Sequence, residues 1–379
     1  MAFALPKIGI LLSSSTPYEV ANNSIRSGIK AALYELQCEG ISVTAVFSDP
    51  SDFGGCYIEA SKFLLDQGIK HVLGCYTSSS RQQVVPTFEA RDSILWYPVH
   101  YEGFECSPSV IYLGSTPAQH VLNLIDYAIK RGWKSYYHLG SDYVWAWENN
   151  RVMADYLASQ SGVCIGEDLR PISDNAESFV TTIDKIWAAK PDFIFSNLIG
   201  EDHYQFIRDF RNSEFQHKAN IPILTCALGE TELKAIGPEW CEDLIVSSVY
   251  FSSINNQENK KFISSLLGAG VSSPGACVDA EGAYLTTKLL CRSLLIAKSD
   301  ERQAVVNALG EIVCDAPRGN VRVDINTNHS AARPRIGISK KNFEFDIISD
   351  TLTYVEPNPY LVNPENLAEM ENTCDGMGT

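Results

Sequence analysis

No run in this sequence comes near the roughly 20 consecutive apolar residues that a membrane-spanning helix needs. Basic residues are also scarce: 30 Lys and Arg stand against 46 Asp and Glu, for a net charge of −16. Nucleic acids and anionic membrane surfaces are bound by cations that neutralise phosphate, so direct nucleic-acid binding is excluded. The charge is spread along the chain and reads as solubility. No low-complexity stretch, heptad or short repeat occurs. Enzyme signatures are missing as well. No GxGxxG follows the first strand-like run, where Gly9-Ile10-Leu11 leads into Ser13-Ser14-Ser15, and GxxxxGK[ST], HExxH and GxSxG are all lacking. The seven histidines are scattered without metal-ligand spacing. Neither a metal nor a cofactor is expected, and the chain does not read as an enzyme.

Cysteine is present but unpatterned. There are 11, an odd number, without a CxxC motif. Most sit in apolar runs such as Val72-Leu73-Gly74-Cys75, where a free thiol behaves as a small buried hydrophobe. So many unpaired thiols suit a reducing compartment, which predicts a cytoplasmic protein, or a periplasmic one if a leader has been removed. Ile8 to Leu12 followed by serines imitates a signal peptide. However, Pro6 and Lys7 interrupt the run, and it reads better as a first buried strand.

What is present is an alternation of short apolar strands and amphipathic helices over 379 residues, enough for two domains. Lys7 to Leu12 reads as a strand, and Ile25, Ile29, Leu33 and Leu36 give helical spacing over Ser24 to Leu36. Strand-like runs follow at Ile41 to Phe47, His71 to Cys75, Ile94 to Tyr97 and Val110 to Leu113, with helices between. Near Pro117 the pattern restarts with strands at Ser135 to Leu139, Val163 to Leu169, Asp192 to Leu198, Ile221 to Cys226 and Leu244 to Phe251. His71-Val72-Leu73-Gly74 in the first half corresponds in pattern to Phe193-Ile194-Phe195-Ser196 in the second. Three helical stretches and a hairpin around Lys340-Lys341-Asn342 close the chain. Such βαβ units predict an α/β protein with a parallel sheet in each half.

In open α/β sheets, ligands bind beyond the carboxyl ends of strands. Four such ends are rich in hydroxyls and aromatics: Gly74 to Ser80, Tyr97 to Gly103, Gly140 to Trp145 and Ser196 to Gly200. Each alone is a polar loop, whereas four together point to a pocket with aromatic walls suited to a small neutral group. Cys75 reads as a buried thiol rather than an activated thiolate. Glu102 and Glu105 read as a carboxylate pair or, more simply, as hydrogen-bonded loop residues.

These segments resemble the amide and urea branch of the type I periplasmic binding proteins, which includes the amide sensor of the aliphatic amidase operon and the receptors of urea and short-chain amide importers. The resemblance is carried by Val72 to Ser78, by Trp96-Tyr97-Pro98-Val99-His100-Tyr101-Glu102-Gly103-Phe104-Glu105, and by Gly140 to Val144. Tyr250 to Ser253, Asp315 to Val323, Asn328 to Ser330 and Pro357 to Tyr360 add to it. It implies two Rossmann-like lobes with a cleft between them, joined by crossovers near Pro117, Phe251 and Ser330. One lobe would hold residues 1–116 and 251–330, the other 117–250 and 331–379. It further implies that Ser78 and its neighbouring amides hold a ligand carbonyl. Tyr76, Tyr97, Val99 and His100 would form one wall, and Tyr143, Trp145 and Ile199 the other. Val99 and His100 are closer to the importer receptors than to the sensor, and Trp145 is larger than the usual Tyr or Phe. Two functions are implied. One is a cytoplasmic sensor of small amides or urea that regulates amidase expression through an antiterminator-type protein. The other is the substrate-binding receptor of an ABC-type importer for urea, short amides or branched-chain amino acids, docking on a permease. A homo-oligomer fits either.

Overall fold

The computed structural model describes residues 4–14, 18–172, 176–214, 220–271, 275–351 and 353–360. The last stretch assigned to the second lobe, 361–379, and the eleventh cysteine, Cys374, therefore lie outside the described residues. Two sheets of seven strands each organise the chain.

The first sheet is built from β1 (Ile8–Leu11), β2 (Ala45–Ser48), β3 (His71–Gly74), β4 (Ile94–Tyr97) and β5 (Val110–Tyr112). All five pair in parallel. Their connections carry helices α1 (Glu19–Cys38), α2 (Tyr57–Leu65) and α3 (Ser78–Ala90). β1, β3, β4 and β5 are buried along their whole length, which is why they read as continuous apolar runs rather than alternating ones.

The second sheet repeats the plan with β6 (Ser135–Ser141), β7 (Val163–Arg170), β8 (Phe193–Asn197), β9 (Ile223–Thr225) and β10 (Ile245–Ser248). The helices here are α4 (Pro117–Lys130), α5 (Val144–Ser159), α6 (Val180–Ala189), α7 (Glu201–Asn212) and α8 (Glu230–Ile236). The strand orders, β2-β1-β3-β4-β5 and β7-β6-β8-β9-β10, are the same. The correspondence of His71 to Gly74 with Phe193 to Ser196 is thus one of sheet position, β3 with β8.

The chain then returns to the first lobe with α9 (Gln257–Gly268), α10 (Val278–Ala297) and α11 (Arg302–Gly310), and adds the small hairpin β11 (Cys314–Ala316) and β12 (Gly319–Val321). β13 (Val323–Asp324) and β14 (His329–Ser330) extend the first sheet beyond β5. β15 (Arg335–Ser339) and β16 (Phe345–Asp350) form the expected hairpin, and β15 pairs antiparallel with β10 at the edge of the second sheet.

Helix α10 is packed into the first lobe against α1, and the approach depends on a residue without a side chain. A Cβ at Gly28 would sit 1.9 Å from the Ala280 carbonyl oxygen, so the two backbones touch. Gly28→Ala is expected to destabilise the protein by about 1–3 kcal/mol through overpacking. Thermal melts check this, and an unchanged Tm would mean that the helices separate freely.

Where the chain passes between lobes, two buried arginines tie the connecting segments together. The Arg318 guanidinium pairs with Glu281 and donates to the Leu113 carbonyl at 3.1 Å. Arg335 donates to the carbonyls of Val249 at 2.7 Å and Arg318 at 3.1 Å. Carbonyls of the segments that cross between the lobes are satisfied in this way.

Candidate functional site

In each sheet the strand order reverses beside the first strand, between β1 and β3 and between β6 and β8. Such switch points open a crevice at the carboxyl ends of the strands. The two crevices face each other and enclose a cavity of about 60 Å³ in which the centre of a water molecule can move. Tyr18, Tyr76, Thr77 and Ser78 come from the first switch point, and Tyr143, Trp145, Ile199 and Gly200 from the second.

Six of the eight site residues implied by the resemblance meet here: Tyr76, Ser78, His100, Tyr143, Trp145 and Ile199 line the cavity. Tyr97 and Val99 do not. Both are buried in the core of the first lobe, and the Tyr97 hydroxyl donates to the Tyr76 carbonyl at 2.6 Å. Tyr97 therefore supports the wall from behind, and Val99 belongs to the core beneath it. β4 is buried on both faces, so its apolar residues point into the lobe rather than the cleft.

Ser78 and the amide beside it, implied to hold a ligand carbonyl, are both hydrogen-bonded within the protein. Ser78 opens α3, and its hydroxyl donates to Glu102 Oε2. The neighbouring Ser79 N–H donates at 2.8 Å to the hydroxyl of Tyr143 from the opposite lobe. His100 lies against Trp145, with ring centroids 5.2 Å apart, and burial lowers its pKa to about 4. It is neutral at physiological pH.

Beneath Ser78 lies a buried charge cluster. Arg81 Nε donates to Glu105 Oε1 and Arg81 Nη2 to Glu102 Oε1, each at 2.9 Å. The guanidinium packs on the rings of Tyr97 and Tyr101, 4.9 and 4.7 Å from their centroids. Glu102 and Glu105 are therefore not a free carboxylate pair but the two partners of one arginine.

Sequence reasoning missed the second half of the polar lining. Cys226 to Gly229 follow β9, Glu232 lies on α8, Tyr204 on α7 and Asp279 in the first turn of α10. The rule that selected the other strand ends applies equally to the end of β9, where the Glu232 carboxylate reaches back to accept from the Gly229 N–H at 2.9 Å. Asp279 and Glu232 come from different lobes. Burial raises both carboxyls, and the charge of Glu232 adds to the upward shift of Asp279. Two buried polar atoms on cavity residues lack a partner: the indole N–H of Trp145 and Oδ1 of Asp279. One is a donor, the other an acceptor. Among the described residues no Lys or Arg lines the cavity, and no group of three His, Cys, Asp or Glu is placed to hold a metal.

With this geometry established, comparison with known proteins places the chain. The family described as "Periplasmic binding protein domain" matches residues 6–366. Among solved structures, a solute-binding protein of an ABC transporter from Rhodopseudomonas palustris HaA2, in complex with p-hydroxybenzoic acid, superposes with a TM-score of 0.82. It shares 18% identity over 93% of this chain and 98% of that one. An amino acid ABC transporter substrate-binding protein from Pseudomonas fluorescens Pf-5 gives 0.81 at 16% identity over 95% and 99%. A branched-chain amino acid ABC transporter periplasmic ligand-binding protein from Burkholderia xenovorans LB400 gives 0.78 at 14% over 92% and 95%. At such identities the likeness is one of fold.

The family match overturns the cytoplasmic expectation. That inference weighed the number of thiols and not their reactivity. The described cysteines are all free, and Cys75, Cys226, Cys241, Cys277, Cys291 and Cys314 are buried. Burial pushes the thiols of Cys75 and Cys291 up to about 12. The thiolate is the species that exchanges and oxidises, so these buried cysteines resist pairing, whereas Cys38 is exposed.

Proposed function

The chain belongs to the periplasmic binding protein family, and from that premise we propose that it is the substrate-binding receptor of an ABC-type importer, carrying a short amide or urea-type molecule to a permease without transforming it. The receptor role draws on the relatives of like fold, which are solute-binding proteins of ABC transporters. It replaces the sensor and its antiterminator partner, a reading that leaned on the cytoplasmic assignment.

The ligand class rests on one observation. Among the described residues the cavity is lined by aromatic rings, hydroxyls and two carboxyls, with no Lys or Arg. A neutral ligand suits such a lining, and a primary amide or urea offers it both a carbonyl acceptor and N–H donors. A carboxylate ligand would find no guanidinium or ammonium on the wall to balance its charge.

A thermal-shift panel tests the reading. At a hundredfold excess over Kd a ligand stabilises by about 2.7 kcal/mol, a rise of several degrees in Tm. Urea, formamide, acetamide or butyramide should produce it, whereas p-hydroxybenzoate and leucine should not. A rise with either carboxylate and with none of the amides would reverse the assignment.

A further inference from the structure

The charge cluster under Ser78 does more than hold a loop. Glu102 is 2% exposed, and both of its oxygens are engaged. Oε1 accepts from Arg81 at 2.9 Å and from Gln82 at 3.2 Å, and Oε2 accepts from the Ser78 hydroxyl. Arginine has donors only and does not deprotonate in proteins, so the carboxylate it faces acts as the acceptor. Ser78 has one proton to donate, and Glu102 accepts it in a hydrogen bond. Toward the cavity, Ser78 Oγ is left with lone pairs alone.

The start of α3 therefore presents two unlike groups side by side, the Ser79 N–H as donor and Ser78 Oγ as acceptor. The Tyr143 hydroxyl answers the first, accepting from Ser79 at 2.8 Å. Any ligand that takes over this position must accept from the one and donate to the other through adjacent atoms. A primary amide does so along one edge. The isosteric carboxylate has two acceptors on that edge and would set one of them against the lone pairs of Ser78.

We infer that Glu102, held by Arg81, is a specificity-determining positioning residue: by accepting the hydrogen bond of the Ser78 hydroxyl it fixes the hydrogen-bond polarity of the cavity wall and selects an amide over the carboxylate of the same shape. The inference rests on the amide reading above.

The test is Glu102→Gln in the full chain. A glutamine there turns its oxygen to Arg81 and its NH2 to Ser78, which frees the serine proton for the cavity. Calorimetry with butyramide and butyrate should show the amide-to-acid affinity ratio falling at least tenfold relative to the wild type. A folded variant whose ratio stays within twofold would overturn the inference. If that variant fails to fold, Ser78→Ala serves instead, since it deletes the acceptor and should lower the same ratio. A ligand-free measurement separates this inference from the one beneath it. The Ser78 hydroxyl proton, held on a carboxylate, should give a low-field NMR resonance in the wild type that is lost in Ser78→Ala. If the wild type binds none of the amides while this resonance is present, the ligand assignment falls and the polarity of Ser78 stands. If the resonance is absent, the inference fails whatever the protein binds.

Discussion

Arg81→Ala is expected to lower the stability of the protein by about 3–5 kcal/mol in urea unfolding, the usual cost of breaking a buried ion pair from one side. The side chain is fully buried and is the shared partner of Glu102 and Glu105. Its removal leaves a carboxylate that is 2% exposed and another that is 19% exposed without a cation. It also empties the space between the rings of Tyr97 and Tyr101, so lost packing adds to lost charge. Arg81→Lys should recover only part of the loss. An ammonium keeps the charge but cannot reach two carboxylates through separate, fixed N–H groups. A loss below about 1 kcal/mol for the alanine variant, typical of an exposed pair, would mean that the cluster is solvated and that the polarity argument built on it has no foundation.

This cluster also shows where sequence reading stops. The resemblance singled out the run from Tyr97 to Glu105, and its physical role is legible only in three dimensions. Its glutamates answer an arginine 21 and 24 positions earlier, on the helix that opens with Ser78. The alternation of strands and helices placed a helix between β3 and β4, but not the direction of the Ser78 hydroxyl. The cavity divides in the same way. Residues at the ends of β3, β6 and β8 were found because buried parallel strands are unbroken apolar runs, and the polar residues that follow them stand out. Glu232 and Asp279 were not found. Helix α8 has only seven residues, too few for a repeating apolar face, and Asp279 begins a helix that returns to the first lobe from far along the chain. Boundaries slipped for local reasons. Helix α1 starts at Glu19 rather than Ser24, since its first turns carry Asn22 and Asn23 in place of apolar residues. The alternation from Ile41 onward suggested a strand, but only Ala45–Ser48 finds a partner in β1.

The last expectation concerns pH and lies at the junction of cavity and crossover. Glu230 opens α8, two residues before the cavity residue Glu232, and its Oε1 accepts from the Ser252 N–H at 2.6 Å in the segment that leads back to the first lobe. Its Oε2 has no partner. Burial, chiefly, raises its pKa from 4.5 to about 7, with the charge of Glu232 adding to the shift and the bonds from Ser252 opposing it. The folded state thus holds this proton more tightly than the unfolded chain does. The corresponding stability is fully present below about pH 4.5 and is lost as the pH rises through about 7. At about 1.4 kcal/mol per pKa unit, a shift of this size corresponds to about 3 kcal/mol between the two limits. Glu230→Gln should remove the dependence, because its carbonyl still accepts from Ser252 while nothing ionises. Denaturant unfolding should find the variant up to about 3 kcal/mol more stable than the wild type at pH 8 and close to it at pH 5. The unpartnered amide nitrogen would offset some of the gain. Stability curves for the two proteins that run parallel from pH 5 to pH 8 would show that Glu230 does not titrate in this range. The crossover would then be free of the penalty that its buried carboxyl predicts.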